Sequence, residues 1–290
     1  MLDTGYLILD TGSSTLDIGF SAVGGWDVEK MKLFDSHCHL DDSTYTRDLD
    51  QVIKRAHNAG VTRVMTIGVN GKTSARAVEL AGSHPEIYAS VGVHPHDAGN
   101  CSESVIDDLI KLAENPKVNA WGEIGLDFNR MYSLKEDQEK WFRKQLEIAI
   151  RLDLPMIFHE RDSKGRFLEM LKKHAGKKLK GVVHCFSGDH NELEQYLDLG
   201  LYIGITGILT LKSRGSRLRK LAAFIPPDRL LVETDAPYLV PAPEKNHYRR
   251  NEPAFVKSVM LKLAEIKKEN PDQLAEIIWE NTCRLYGLEV

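Results

Sequence analysis

Two histidines, His37 and His39, stand at positions i and i+2 of an apolar run. In an extended chain that spacing presents two imidazoles on one face, with Asp35 on the same face. Single histidines then close other short apolar stretches, at His94, His159 and His184. Glu123 and Asp127 close another, and Glu233-Thr234-Asp235 the last. A lone histidine at a strand end is ordinarily a hydrogen-bonded core residue. Many such polar groups gathered together would each need a partner if buried, and a metal satisfies several at once. Four imidazoles and two carboxylates without a thiolate cluster suit zinc, manganese, cobalt or nickel, with magnesium less natural. Six ligands exceed what one catalytic ion needs while keeping a position open for water. Two divalent ions sharing Glu123 as a bridge account for the count better, and such a pair would activate water and clamp the oxygens of a hydrolysis.

Those residues need a frame that brings strand ends together. Strands are expected near 32–39, 63–69, 87–94, 119–125, 155–159, 181–185, 202–205 and 230–234, with amphipathic helices between them. Ser133-Leu-Lys-Glu136 reads as a capping box, followed by Phe142, Leu146 and Ile150 on one helical face. Asn270-Pro271-Asp-Gln273 opens the last helix with a cap and a proline. Eight βα units over about 250 residues predict an α/β fold of the (β/α)8 TIM-barrel class, whose active sites form at the C-terminal ends of the strands. A dinucleotide-binding sheet would want GxGxxG after its first strand, where this chain has His37-Cys38-His39-Leu40.

The chain has 290 residues, enough for one large α/β domain, and 42% hydrophobic with 28% charged residues is a globular balance. No apolar run approaches the roughly 20 residues that span a bilayer, so no membrane association is expected. The net charge of −4 resides in the first thirty residues, leaving the remainder neutral. A neutral body argues against coating nucleic acid broadly, so phosphate recognition must be local. Cys38, Cys101, Cys185 and Cys283 form no CxxC pair, which fits a reduced, cytoplasmic setting. Residues 1–30 repeat a heptad at Leu2-Asp3-Thr4-Gly5, Leu9-Asp10-Thr11-Gly12 and Leu16-Asp17-Ile18-Gly19. LDTGSS over 9–14 resembles the catalytic loop of pepsin-like proteases, but those need two carboxylates from separate lobes. Residues 1–30 are therefore expected to be a flexible appendage, with the functional domain over 31–290.

Seven motifs in order carry a resemblance. Phe34-Asp-Ser-His-Cys-His39, Gly92-Val-His-Pro-His96, Gly122-Glu-Ile-Gly-Leu-Asp-Phe128 and His159-Glu-Arg-Asp162 are followed by Val183-His-Cys-Phe-Ser-Gly188, Glu233-Thr-Asp-Ala-Pro-Tyr-Leu239 and Arg250-Asn-Glu-Pro253. Together they resemble the TatD family of metal-dependent deoxyribonucleases over residues 31–290. The resemblance implies that His37 and His39 hold one divalent ion, that Glu123 bridges, and that His159 and His184 hold the other. Asp235 would ligate the first ion and orient or deprotonate the nucleophilic water, while His94 and Arg161 contact the substrate phosphate. It implies removal of nucleotides from the 3′ end of DNA, most readily single-stranded.

Two other functions use the same residues. The barrel and ligands also resemble amidohydrolases, so an amide or ester, including an aminoacyl ester on RNA, could replace the phosphodiester. A non-catalytic metal-binding scaffold in a nuclease complex would need the ligands but not the chemistry. Arg249-Arg250-Asn251 reads either as added backbone contacts or as a solvated pair before a helix. His57, His84, His174 and His190 are expected at the surface, and Cys38 and Cys185 in the helix-facing packing. Gly204-Ile-Thr-Gly207 is expected to permit a tight turn. Oligomeric state is open, with a monomer as the default.

Overall fold

The apolar runs become eight parallel strands, β1 Leu33–Cys38, β2 Val61–Ile67, β3 Ile87–Val91, β4 Val118–Asp127, β5 Met156–Arg161, β6 Gly181–Val183, β7 Tyr202–Ile205 and β8 Leu230–Val232. They pair in chain order within one sheet. The computed structural model describes residues 31–174 and 179–290, so the heptad repeat of residues 1–30 lies outside the described residues. Parallel neighbours cannot be joined by tight turns, and the crossovers place helices outside the sheet. These are α1 Leu49–Asn58, α2 Gly71–Ser83, α3 Glu103–Leu112, α4 Lys135–Leu152, α5 Arg166–Lys172, α6 His190–Asp198, α7 Ser216–Ala222 and α8 Val256–Lys267, with α9 Pro271–Tyr286 added at the end. The result is the expected (β/α)8 barrel.

The sheet closes just past the end of β8. The Asp235 N–H donates to the His37 carbonyl at 2.9 Å, and the His39 N–H to the Ala236 carbonyl at 2.7 Å. Beneath them the Asp35 carboxyl accepts the Thr234 N–H and hydroxyl at 2.8 and 2.5 Å. Asp35 is therefore spent on the seam rather than facing inward with His37 and His39. The register shift between Asp35 and Cys38 breaks the simple alternation on which that expectation rested.

Two apolar layers follow from the alternation of strand side chains. Leu33, Val64, Ile87, Val91, Phe158 and Ile203 face the helices. Phe34, Met65, Ile67, Ala120, Ile157, Val182, Tyr202 and Leu231 gather inside, together with Trp279, Cys283 and Tyr286 of α9. The α9 helix starts as read, with Asn270 accepting the N–H groups of Asp272 and Gln273. At its far end the Tyr286 hydroxyl donates to the Ser36 carbonyl at 3.0 Å.

Helix α4 departs from expectation in a useful way. Its N-cap is Leu134 and makes no side-chain cap bond. The Ser133 hydroxyl instead accepts the Gly99 N–H at 2.9 Å and donates to the His96 carbonyl at 2.8 Å, tying down the loop after β3. Two buried glutamines do related work. Gln138 accepts the Asp127 N–H and donates to the Asp127 carbonyl. Gln145 accepts the N–H of Val93 at 2.8 Å and the Trp121 indole N–H at 3.2 Å, and donates to the Val93 carbonyl at 3.0 Å. It thereby holds the residue preceding His94. Replacing Gln145 by leucine strands these three groups without partners, so Gln145→Leu should lower stability by about 3 kcal/mol. Thermal unfolding would read this, with an unchanged melting curve as the contrary result.

Candidate metal centre

The six residues expected to hold metal converge at the C-terminal mouth of the barrel. His37 and His39 come from the end of β1, Glu123 from within β4, His159 from β5, His184 from just beyond β6, and Asp235 from beyond β8. Glu123 is the hub. Its carboxylate lies 2.6 Å from His159 Nδ1, 3.4 Å from His37 Nε2, 3.5 Å from His94 Nε2 and 3.9 Å from His184 Nε2. Asp235 Oδ1 lies 3.4 Å from His39 Nε2, 3.7 Å from His37 Nε2 and 3.8 Å from His184 Nε2.

These separations fit a shared cation. Two donors each about 2.1 Å from a tetrahedral ion stand roughly 3.4 Å apart. His37 sharpens the fit, because it is fully buried and neither ring nitrogen finds a hydrogen-bond partner. A buried imidazole left so is costly unless something else meets it. Three sets of side chains could each hold an ion: His37 with His39 and Asp235, His37 with Glu123 and His184, and His94 with His96 and His159. The third set was not anticipated, and it groups His159 with His94 and His96 rather than with His184.

Electrostatics follow from crowding charge in a dry place. Burial opposes the Glu123 anion, yet the imidazoles of His94, His184, His37 and His159 outweigh it and hold the carboxyl well below its ordinary range. Burial also opposes a charged His184, but Glu233, Glu123 and Asp235 overcome it and raise its pKa to about 10. His159 is raised to about 9, because hydrogen bonds to Asp127 and Glu123 outweigh its burial. His94 goes the other way, to about 4, through burial and repulsion by His159. Its Nδ1 accepts the His96 N–H at 3.0 Å, so the neutral ring carries its proton on Nε2, toward Glu123.

A second rank of residues positions the first. Glu233, completely buried, lies 2.8 Å from His184 Nδ1 and accepts the Cys185 N–H at 2.6 Å. Asp127 takes His96 Nε2 at 2.7 Å and His159 Nε2 at 3.3 Å. Imidazole ligands commonly present their other nitrogen to such a carboxylate. The sequence signals were present. Glu233 stands two residues before Asp235, as His37 stands before His39, and His96 forms a second i, i+2 pair with His94.

Gly204 lies inside β7 rather than at a turn, and an added Cβ would sit 2.6 Å from the Glu233 carboxylate. Its role is to make room for that side chain. Cys38 packs in the helix-facing core as expected. Cys185 also packs against that core, but β6 ends at Val183, and with φ 47° it lines the cavity beside the centre as well. His57 and His190 are exposed, while His84 and His174 are half-buried. Arg250 is neither solvated nor free for a ligand, since it pairs with Asp48 and Glu252 and donates to the Thr44 carbonyl. Asn251 is buried and braces the Thr234 and Tyr238 carbonyls. Arg161, at the end of β5, makes no side-chain hydrogen bond or ion pair among the described residues, and it lines the same cavity, of about 290 Å³, as His159, His184 and Asp235.

An eight-stranded barrel with imidazoles and carboxylates gathered on its strand ends defines a hydrolase barrel of the metal-dependent type. The profile of the TatD related DNase family matches residues 34–287, and the chain belongs to that family. A protein of Citrobacter koseri named 3′-5′ ssDNA/RNA exonuclease TatD is 40% identical over 258 residues, covering 88% of this chain and 99% of its own. The crystal structure of a TatD homolog from Escherichia coli K12 superposes with a TM-score of 0.83 at 32% identity, covering 89% of this chain and 99% of that one. A TatD family hydrolase from Entamoeba histolytica gives 0.81 at 28%, over 89% and 98%. The family and the clustered ligands together imply use of divalent metal. Among the described residues no helix is long and apolar enough to cross a membrane.

Because Gly204 abuts Glu233, Gly204→Ala should destabilise the fold by about 1–3 kcal/mol through overpacking. It should also move the His184 imidazole resonances in an NMR spectrum. Unmoved resonances would mean that Glu233 does not hold that ring.

Proposed function

We propose that this chain is a metal-dependent phosphodiesterase that removes nucleotides from the 3′ end of single-stranded DNA, with single-stranded RNA as a second substrate. The carrying observation is the convergence of His37, His39, Glu123, His159, His184 and Asp235 beside an unpaired Arg161. The names borne by the relatives support the substrate class. His37, His39 and Asp235 would hold one divalent ion, and Glu123 with His184 and His159 would hold a second, Glu123 reaching His159 at 2.6 Å although His159 also stands beside His94 and His96. Nitrogen-rich donors favour zinc, manganese, cobalt or nickel over magnesium.

Bound ions supply an acidified water and positive charge for the phosphoryl oxygens. The protein supplies the rest. Asp235 would orient the attacking water and take its proton; its carboxylate stands among His39, His37 and His184. The three imidazoles around it outweigh its burial and keep it ionised for that purpose. The Arg161 guanidinium grips two phosphate oxygens as a fork. His94, at the same mouth, would contact the phosphate, its Nε2 standing 3.1 Å from His159 Nδ1. A carbonyl substrate would call for an oxyanion site rather than this fork, which favours the phosphodiester over an amide or aminoacyl ester. The functional domain begins at Met31, whose side chain is already in the core, and residues 1–30 are an appendage. The four cysteines are free, in keeping with a reduced compartment such as the cytoplasm.

Stripping the protein of metal should abolish shortening of a 5′-labelled single strand. Refilling with manganese or zinc should restore it, equally in a chain beginning at Met31. Glu123→Ala should stay at the stripped level after refilling; cleavage insensitive to chelator would overturn the mechanism. Arg161→Ala should lower kcat/KM on the strand by roughly 10²-fold, with metal content by elemental analysis unchanged. Full activity in that variant would return the amide or ester reading to first place.

A further inference from the structure

We propose that Arg214 and Arg217 form a second phosphate station, which grips the strand one nucleotide away from the bond being cut. The inference rests on the phosphodiesterase reading above and says where along the strand the protein holds it.

Both arginines line the cavity whose other wall carries His159, His184 and Asp235. At about 290 Å³ the cavity lies at the small end of ligand pockets. That volume is of the order of one nucleotide, and Ile208, Leu218 and Leu221 in the wall offer apolar surface to a base.

Charge accounting supports the assignment. Neither Arg214 nor Arg217 makes a side-chain hydrogen bond or ion pair among the described residues. The two acids lining the cavity, Glu160 and Asp235, are committed elsewhere. Asp235 is engaged by His39 at 3.4 Å, and Glu160 accepts the Ser163 N–H and hydroxyl at 3.0 and 2.7 Å. With Arg161 they make three unneutralised cations on one cavity, in a domain whose formal charge over residues 31–290 sums to zero, and they concentrate positive potential where a backbone phosphate would lie.

The segment presenting them is built, not merely exposed. Arg219 is turned back to donate to the carbonyls of Leu209, Leu211 and Lys212 at 3.0, 2.7 and 2.6 Å, and so staples the loop after β7. Thr210 fixes the same loop to the following one by accepting the Ala242 N–H at 2.8 Å. Gly215 sits so close to this turn that an added Cβ would lie 2.3 Å from the Ile208 carbonyl oxygen. One arginine is thus consumed in bracing the turn, while its exposed neighbours at 214 and 217 line the cavity without a side-chain partner among the described residues. Such preorganisation lessens the entropy lost when a strand is gripped.

The test compares two substrates of the metal-loaded, full-length protein. One is bis(4-nitrophenyl) phosphate, which has a single phosphate and cannot span to the second station. The other is a single-stranded oligodeoxynucleotide. In Arg214→Gln/Arg217→Gln the ratio of kcat/KM on the oligonucleotide to that on the small diester should fall about tenfold or more, as expected for losing charge-assisted contacts. The slope of log(kcat/KM) for the oligonucleotide against log salt should become shallower by about 1.4, two contacts at about 0.7 each on a single strand. Arg214→Lys/Arg217→Lys should recover the salt slope and part of the ratio. If the wild type shortens the oligonucleotide but ratio and slope are unchanged in the glutamine variant, the station is refuted and the nuclease stands. If the wild type cuts the small diester and no oligonucleotide, the nucleic-acid reading falls and the station with it.

Discussion

The barrel closes through the backbone of its own candidate ligands. Beyond β8, closure is carried by the Asp235 amide on the His37 carbonyl and the His39 amide on the Ala236 carbonyl. The register of the seam and the meeting of His37, His39 and Asp235 are therefore one variable. A slip of one residue would break closure and turn these side chains to the wrong face together. The seam is locked by Asp35, whose carboxyl burial pushes up to about 8. Carrying that group largely neutral lessens the cost of placing it under the site, where Thr234 meets both of its oxygens.

Above the seam, buried polar groups are satisfied in ranks. The Glu123 carboxylate is surrounded by imidazoles, and two of those imidazoles lean on further carboxylates, His184 on Glu233 and His159 on Asp127. Asp127 is in turn fixed at its backbone by Gln138 of α4, as Val93, the residue before His94, is by Gln145. One helix thus sets the heights of two adjacent strand ends. The backbone conditions are equally strict. An added Cβ at Gly92 would lie 2.8 Å from the Gly122 backbone, and one at Gly204 would enter the Glu233 carboxylate. The ring of imidazoles and carboxylates at the mouth is tolerated because Glu233 and Asp127 stand behind His184 and His159.

Much of this could be read from the sequence. Strand runs ending in His, Glu or Asp foretell both a barrel and the side of it that matters, since a barrel of parallel strands puts all such ends at one rim. The i, i+2 pair at His37 and His39 marked the first candidate ligands. What escaped depended on contacts between residues distant in the chain. Ser133 has the composition of a helix cap, yet the loop at Gly99 competes for its hydroxyl and wins. Alternation failed at Asp35 because a register shift intervenes, and held only in part at Cys185 because the strand stops two residues earlier. Gly204 looked like a turn residue, and nothing local reveals that the carboxylate 29 positions later needs its space. Periodicity speaks about the faces of one element, whereas these positions are decided by a neighbouring one.

The interior is divided by height, and that division explains how so polar a mouth is tolerated. Lower down, Phe34, Met65, Ile157, Val182 and Leu231 fill the barrel, and α9 covers them with Trp279 and Tyr286. Burial of this layer adds to that of the larger helix-facing core, because each large apolar side chain removed from water contributes roughly 1.5–3 kcal/mol. The upper layer adds charged groups whose desolvation opposes folding and is only partly offset by their mutual attraction. The two layers meet where the Tyr286 hydroxyl reaches the Ser36 carbonyl, one residue before His37. Any cation binding the folded mouth more tightly than the unfolded chain must then stabilise the whole barrel, so occupancy of the site and integrity of the fold are coupled through β1.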